Sequence, residues 1–292
     1  MSLAAMLSTV TDALPGRSGS RSLSTPSLAL GMGVYYGLLV LGFAILIVPI
    51  VLVIAVSFNP TEAQAFPPTG FSLRWYGEFL DSSFFNAFFA VSLPIALAVG
   101  TVSTVLGLMA SYIVARRDIP FENEVVLYFL MPLVVPPAII GLSLLLLFGL
   151  RPLSFVPPFV ELTVAHVVVT IPYTFLTSLT ALYSVDEELE QAARNLGATK
   201  FNAFREVTLP LIRSGVISGF LLAFILSFTD STVALFLSGG STITLPVEMF
   251  LFLQFDSSPL VAATATVQIL LVLVLVVLIG RLVGFKAVTA DL

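Results

Sequence analysis

The sequence predicts an all-α polytopic membrane protein with six transmembrane helices, and three observations carry that reading. Hydrophobic side chains make up 58% of the 292 residues and charged ones only 10%, with a mean hydropathy of +1.08, whereas soluble domains are about one quarter charged. The apolar residues are gathered into runs, six of them long enough to cross a hydrocarbon core of about 30 Å. The bases are spread unevenly between the connections, as the positive-inside rule demands. The formal charge of −5 says little about partners, because in such a protein the placement of Lys and Arg is informative and their sum is not. No cysteine is present, which excludes disulfides, thiolate metal sites and cysteine nucleophiles.

Residues 1–29 are polar and rich in Ser, Thr and Gly, and read as a cytoplasmic tail. The apolar run that follows, to about residue 56, is too long for a signal-peptide core and has no small-residue cleavage site after it, so it is the first span. Residues 58–85 turn polar and aromatic. Pro67-Pro68, Gly70 and the pair Trp75-Tyr76 predict an extracytoplasmic loop with a short helix at the membrane surface. Further spans are expected at about 86–115, closed by Arg116-Arg117, and at about 125–150, 160–183, 214–237 and 259–283. The segment 238–258 is too short and interrupted to cross, and fits a re-entrant or surface helix on the outer face. With the N-terminus inside, ten of the twelve Lys and Arg residues fall on the cytoplasmic side, leaving Arg74 and Arg151 outside. Both termini are therefore expected in the cytoplasm, with 285–292 as a short tail.

The longest polar connection, from Ser184 to Gly215, holds four bases and five acids. Ser184 and Glu187 have capping-box spacing, and Asp186, Glu187, Glu188 and Glu190 place negative charge at a helix start. Leu189, Ala192, Ala193 and Leu196 draw a narrow apolar stripe, and Glu190 and Arg194 are expected at i, i+4 on the wet side. Gly197 is placed to end the helix, and a second short helical piece from Thr199 carries Phe201 and Phe204 before Leu209-Pro210 leads into the next apolar run.

Gln191-Ala192-Ala193, Gly197, Val207 and Leu209-Pro210 stand at the spacing of the cytoplasmic loop signature of type I ABC importer permeases, which the chain resembles. Gln191 replaces the family's usual Glu, with Glu190 beside it, and Val207 replaces Ile. The stretch FPPTGFSLRWY is similar to the first external loop of spermidine/putrescine-type permeases, and LMPLVVPPAIIG resembles the family's third span. The resemblance implies one permease domain over 30–284, with 184–213 as the coupling loop. Its residues Glu190, Gln191, Ala192, Ala193, Leu196, Gly197, Leu209 and Pro210 would serve the contact with an ATPase. Also implied are a second permease subunit, two ATPase subunits, an extracytoplasmic binding protein and a location in the bacterial inner membrane. The expected cargo is a polyamine or related amino compound, with iron, sulfate and phosphonate as alternatives. No nucleic-acid partner is expected.

The residues themselves limit the chemistry. Without a GxxxxGK[ST] loop the chain is not expected to bind ATP, so ATP and Mg would be held by partner subunits, with no cofactor or metal on this chain. One histidine and no cysteine rule out an HExxH zinc site and a thiol protease. A Ser-His-Asp hydrolase would have to draw on His166 and Asp230, and no GxSxG elbow exists. A channel or secondary transporter would be expected to show inverted repeats or ionisable pairs within spans, and neither is clear. Asp230 is the only acid predicted in the interior of a span, and a small, polar stripe through Ser227 leads to it. It faces either a substrate pathway, with Ser227, Thr229, Tyr173 and His166, or serves as the cap of a broken helix. His166 likewise reads as a pathway group or as a packing histidine bonded to a neighbouring hydroxyl.

The topology yields a test. Cysteines introduced singly at Thr69 and at Lys200 of this cysteine-free chain are expected to react with an impermeant maleimide from opposite sides of the membrane. Labelling of both from one side would overturn the arrangement.

Overall fold

The computed structural model describes residues 25–150, 153 and 155–283. The predicted tails lie outside the described residues, apart from 25–29, as do Arg151 and Lys286. The chain divides between Leu52 and Val53 into two compact units, each of which is taken by itself.

The first unit is a single helix, most of α1 (Thr25–Val56). It begins five residues before the expected start because Pro26 falls in the first turn, where a missing N–H costs nothing.

The second unit is helical throughout its regular structure: α2 (Arg74–Asp81), α3 (Ser83–Arg116), α4 (Glu122–Val134), α5 (Pro137–Phe148), α6 (Pro158–Tyr183), α7 (Glu187–Asn195), α8 (Lys200–Thr229), α9 (Ala234–Leu237), α10 (Leu245–Leu253) and α11 (Pro259–Val283). The polytopic all-α class is borne out. Among the described residues five helices are long and apolar enough to cross a bilayer, and a sixth crossing exists if α4 and α5 count as one broken span.

Three expected spans differ in form, each through proline or an acid. The third is not one helix: α4 and α5 meet at 98°. Pro136-Pro137 supplies no N–H there, and Val135 and Pro136 are extended, as a residue before proline prefers. The fifth begins at Lys200 instead of 214 and stops at Thr229, so Asp230 lies at a break and not inside a helix. The second and fifth both pass through a proline without breaking. In α3 the backbone widens to π geometry over Ala87–Ser92, just before Pro94, and in α8 over Phe204–Thr208, just before Pro210. A proline ring collides with the carbonyl four residues earlier, here Ala90 and Glu206. Both carbonyls sit in the widened turn, where bonds run to the fifth residue, as from Leu209 N–H to Phe204. Leu209-Pro210 therefore lies within one continuous helix.

The core of the unit is α6 with α3 and α8 packed against it. Lipid offers no hydrophobic drive for helix association, so contact depends on close backbone approach and interhelical hydrogen bonds. A Cβ on Gly107 of α3 would come within 2.7 Å of the Phe175 amide nitrogen, and one on Gly215 of α8 within 2.8 Å of the Thr177 carbonyl oxygen. Hydroxyls join the same surfaces. Thr174 donates to the Ser103 carbonyl at 2.7 Å, and the Ser103 and Thr170 hydroxyls pair at 2.7 Å.

The connections at the end opposite α7 are also tied down. Trp75, expected as an interfacial anchor, is buried and donates its indole N–H to the Asn59 carbonyl at 2.7 Å. The segment 238–258 forms the short α10 instead of a crossing, as expected, and its Leu245 amide donates to Ser92 of α3 at 2.7 Å.

Candidate functional site

Two clusters gather the residues singled out by the sequence. The first is built on α7. Its N-cap is Asp186, which accepts from the Glu188 amide at 2.9 Å, and not Ser184, whose hydroxyl donates back to the Ala181 carbonyl at 2.7 Å. Ser184 still belongs to the end of α6, and Asp186, two residues on, is placed to accept from a free amide of α7. At the other end Gly197 has φ +97°, a left-handed conformation that suits glycine. The Ala198 amide donates to the Ala193 carbonyl at 3.1 Å and Gly197 to Arg194 at 3.0 Å, which closes the helix with the two crossed bonds of a Schellman motif. Thr199 then caps α8, accepting from the Asn202 amide at 3.2 Å.

Glu190 is not on the wet side. It is buried, its Oε1 accepting from the Tyr112 hydroxyl of α3 and its Oε2 from the Thr208 hydroxyl of α8 at 2.8 Å. A charged carboxylate withdrawn from water needs such donors, and two hydroxyls from two different spans supply them. The i, i+4 spacing to Arg194 could not reveal this, because the competing partners are far away in sequence. Arg194 remains exposed. Gln191 also faces water, with its amide 3.3 Å from Glu187 Oε1. The predicted stripe is present on α7, but it points outward: Leu189 and Ala192 are exposed, Ala193 is half-buried, and Leu196 is 91% exposed.

The second cluster lies where two broken spans meet. A cavity of about 160 Å³ is lined by His166 and Tyr173 of α6, Ser227 of α8 and Asp230 at the break, with Pro137 of α5 on its wall. Asp230 Oδ2 accepts from the Val233 amide at 2.9 Å and the Ala234 amide at 3.0 Å, so it caps α9. His166 is buried between Ser227 and Asp230. Its Nδ1 is 2.8 Å from Ser227 Oγ, and its Nε2 is 3.3 Å from Asp230 Oδ2, close enough for an ion pair but off the line of a well-formed hydrogen bond. Both readings of these residues thus meet in one place, since the cap and the packing histidine also line the cavity. Thr229 is not among its walls. It is exposed and donates to the Ile225 carbonyl of its own helix at 2.8 Å. Serine, histidine and aspartate stand in line here, but Ser227 and Asp230 lie one turn apart on the same chain segment and clamp the ring from both sides. That is the geometry of an interhelical bridge.

A profile of the family described as "Binding-protein-dependent transport system inner membrane component" matches residues 103–286, a stretch that contains both clusters. The chain belongs to this family. As a permease of that kind it is 34% identical over 235 residues to the putrescine transport system permease protein PotI of Escherichia coli strain K12, covering 79% of this chain and 83% of that one. It is 31% identical over 225 residues to the spermidine/putrescine transport system permease protein PotC of Haemophilus influenzae, covering 77% and 86%. Its fold is similar to that of a chain from the bacterial ABC transporter involved in the import of the acidic polysaccharide alginate, with a TM-score of 0.64 at 16% identity over 88% and 98% of the two chains. The family is a multi-pass component of the inner membrane, as the apolar helices of this permease require.

Tyr112 and Thr208 had not been singled out. Thr208 lies inside the loop signature, between Val207 and Leu209, and Tyr112 is a tyrosine five residues before the end of its polar boundary at Arg117. The pairing gives a testable expectation. Glu190→Ala leaves two buried hydroxyls without their acceptor, which costs about 1–3 kcal/mol. Amide exchange over Glu187–Asn195 should then rise about tenfold or more. Glu190→Gln, which still offers an acceptor, should show a smaller rise, and Gln191→Glu none.

Proposed function

We propose that this permease is one of two membrane subunits of an ATP-driven importer. An extracytoplasmic binding protein would deliver a polyamine or related amino compound, and two ATPase subunits would bind ATP and Mg, with no cofactor on this chain. The cargo follows from the relatives, which are named for putrescine and spermidine. The distribution of bases supports an orientation with α7 and both termini in the cytoplasm. On this reading residues 30–284 act as a single permease domain, with 184–213 as its coupling loop.

The observation that carries the proposal is the construction of α7. A short, doubly capped helix presents Leu189 and Leu196 to the outside while Glu190 holds its other face to α3 and α8. A leucine exposed to 91% on a water-facing helix needs a partner surface, and the small Ala192 and Ala193 beside it let that surface approach closely. The ATPase would take this face. Movement of α7 would pass through Glu190 to α8, which runs unbroken through Leu209-Pro210 to the break at Asp230. There a cationic substrate would compete with His166 for the carboxylate, in the cavity shared with Tyr173 and Ser227 and close to Thr229.

Two variants test this. Gly197→Asp forces a left-handed backbone on a side chain that disfavours it by about 1–2 kcal/mol, which distorts the end of α7. It should leave the permease inserted but abolish stimulation of ATP hydrolysis by loaded binding protein. Asp230→Asn keeps the shape and removes the charge, and should lower putrescine uptake about tenfold or more while leaving basal ATP hydrolysis intact. Normal uptake in both variants, or uptake by the permease reconstituted without any ATPase, would refute the proposal.

A further inference from the structure

Beside α7 a groove runs between α3 and the start of α8. Its walls are Val105, Leu108, Met109 and Tyr112 from α3 and Phe201 and Phe204 from α8, enclosing about 290 Å³. Met109 and Phe201 are more than half exposed. At one end this apolar surface stops at Arg117 and Lys200. These two bases also line a smaller polar pocket next to the groove, together with Arg116 and Arg194.

Four bases thus meet two carboxylates, Glu187 and Glu190, so the lining carries two more positive groups than negative ones. Both oxygens of Glu190 accept from hydroxyls, and Glu187 Oε1 faces the amide of Gln191. Arg116 is committed to the end of α6, where it donates to the carbonyls of Leu182 at 3.0 Å and Val185 at 2.8 Å. Among the described residues the ion pairs are Arg74 with Glu62 and Glu78, and His166 with Asp230, so none reaches this cluster. Arg117, Arg194 and Lys200 make no ion pair among the described residues, and the lining keeps its excess of positive charge.

We propose that the groove binds one anionic phospholipid, with an acyl chain between α3 and α8 and its phosphate at Arg117 and Lys200. Position favours this occupant. Arg117 directly follows the last residue of α3, where that span would meet the headgroup phosphates, and Lys200 lines the same pocket beside it although the apolar part of α8 begins further along. Charge favours it as well. A zwitterionic headgroup brings a cation of its own into a cluster that already has excess positive charge, and a phosphatidylglycerol headgroup does not. A second permease covering the groove would need carboxylates matched to this excess positive charge alongside an apolar face. The bound phosphate would bridge α3 and α8, the two helices that hold Glu190, and so steady α7. This last consequence rests on the coupling role proposed above, whereas the binding itself does not.

Native mass spectrometry of the assembled transporter, equilibrated with phosphatidylglycerol or phosphatidylcholine of the same chains, tests the binding. The wild type should retain phosphatidylglycerol preferentially. Arg117→Gln with Lys200→Gln should lose that preference, by about fivefold for each base removed. Met109→Trp, which fills the groove and leaves the charge unchanged, should also lower retention, while Leu270→Trp on exposed α11 should not. If the double variant fails to assemble, Met109→Trp decides. Equal retention of both lipids by the wild type would overturn the site. So would displacement of phosphatidylglycerol by inorganic phosphate together with no effect of Met109→Trp, which would mark a bare anion pocket. In nanodiscs, ATP hydrolysis stimulated by binding protein should depend on phosphatidylglycerol in the wild type and not in the double variant. Retention of the lipid with no such dependence would leave the site standing and remove its link to coupling.

Discussion

The second unit depends on how closely α3 and α8 approach one face of α6. In hydrocarbon the solvent does not push helices together, so the contact must be made by packing and by hydrogen bonds between helices. Gly107 and Gly215 let the backbones come near, and the Ser103, Thr170 and Thr174 hydroxyls join the surfaces that result. Both clusters follow from this arrangement. Tyr112 on α3 and Thr208 on α8 face a common point only because each helix is seated against α6, and Glu190 occupies that point. His166 on α6 meets Ser227 and Asp230 because the far end of α8 is seated in the same way.

Among the described residues Pro49, Pro132 and Pro172 sit inside uninterrupted α-helices, whereas other prolines alter theirs in two ways. At Pro94 and Pro210 the helix accommodates the ring by widening for about one turn, so its axis continues. At Pro136-Pro137 two successive residues lack an N–H and the preceding residue is driven to extended geometry, so the axis turns through 98°. The turned segment then packs against the other break. A Cβ on Gly141 of α5 would lie 3.2 Å from Val233 Cα, just before α9. Two interruptions are thereby stacked around one cavity, and backbone groups freed at the second are met by Asp230 and by Gln268, which donates to the Phe228 carbonyl at 3.0 Å.

Much of this was legible in the sequence where the cause is local. The spans followed from run length, Gly197 from its place after the stripe, and the short α10 from a run too brief to cross. What escaped depends on partners distant along the chain. Glu190 read as a solvated member of an i, i+4 pair because nothing nearby indicates that Tyr112, 78 residues away, would claim its carboxylate. Trp75 read as an interfacial anchor because its acceptor, the Asn59 carbonyl, is a backbone group with no sequence signature. Asp230 was expected either on a pathway or as a cap, and periodicity cannot separate the two when one residue lies at both. The helical piece from Thr199 was expected, but its continuity with the fifth span was not, because Leu209-Pro210 reads as a break and the π widening that carries the helix past it has no local signature.

The continuity of α8 through Pro210 has a mechanical consequence. Its 30 residues, at about 1.5 Å each, make a rod some 45 Å long with α7 at one end and the Asp230 break at the other. A rod held near its middle converts a tilt of only about 5° into opposite displacements of roughly 2 Å at its two tips. That is several times the roughly 0.5 Å by which the 3.3 Å contact between His166 and Asp230 exceeds a charge-assisted hydrogen bond. Small angular errors in seating α7 would therefore reach the cavity at full amplitude, because no joint lies between them to absorb the motion.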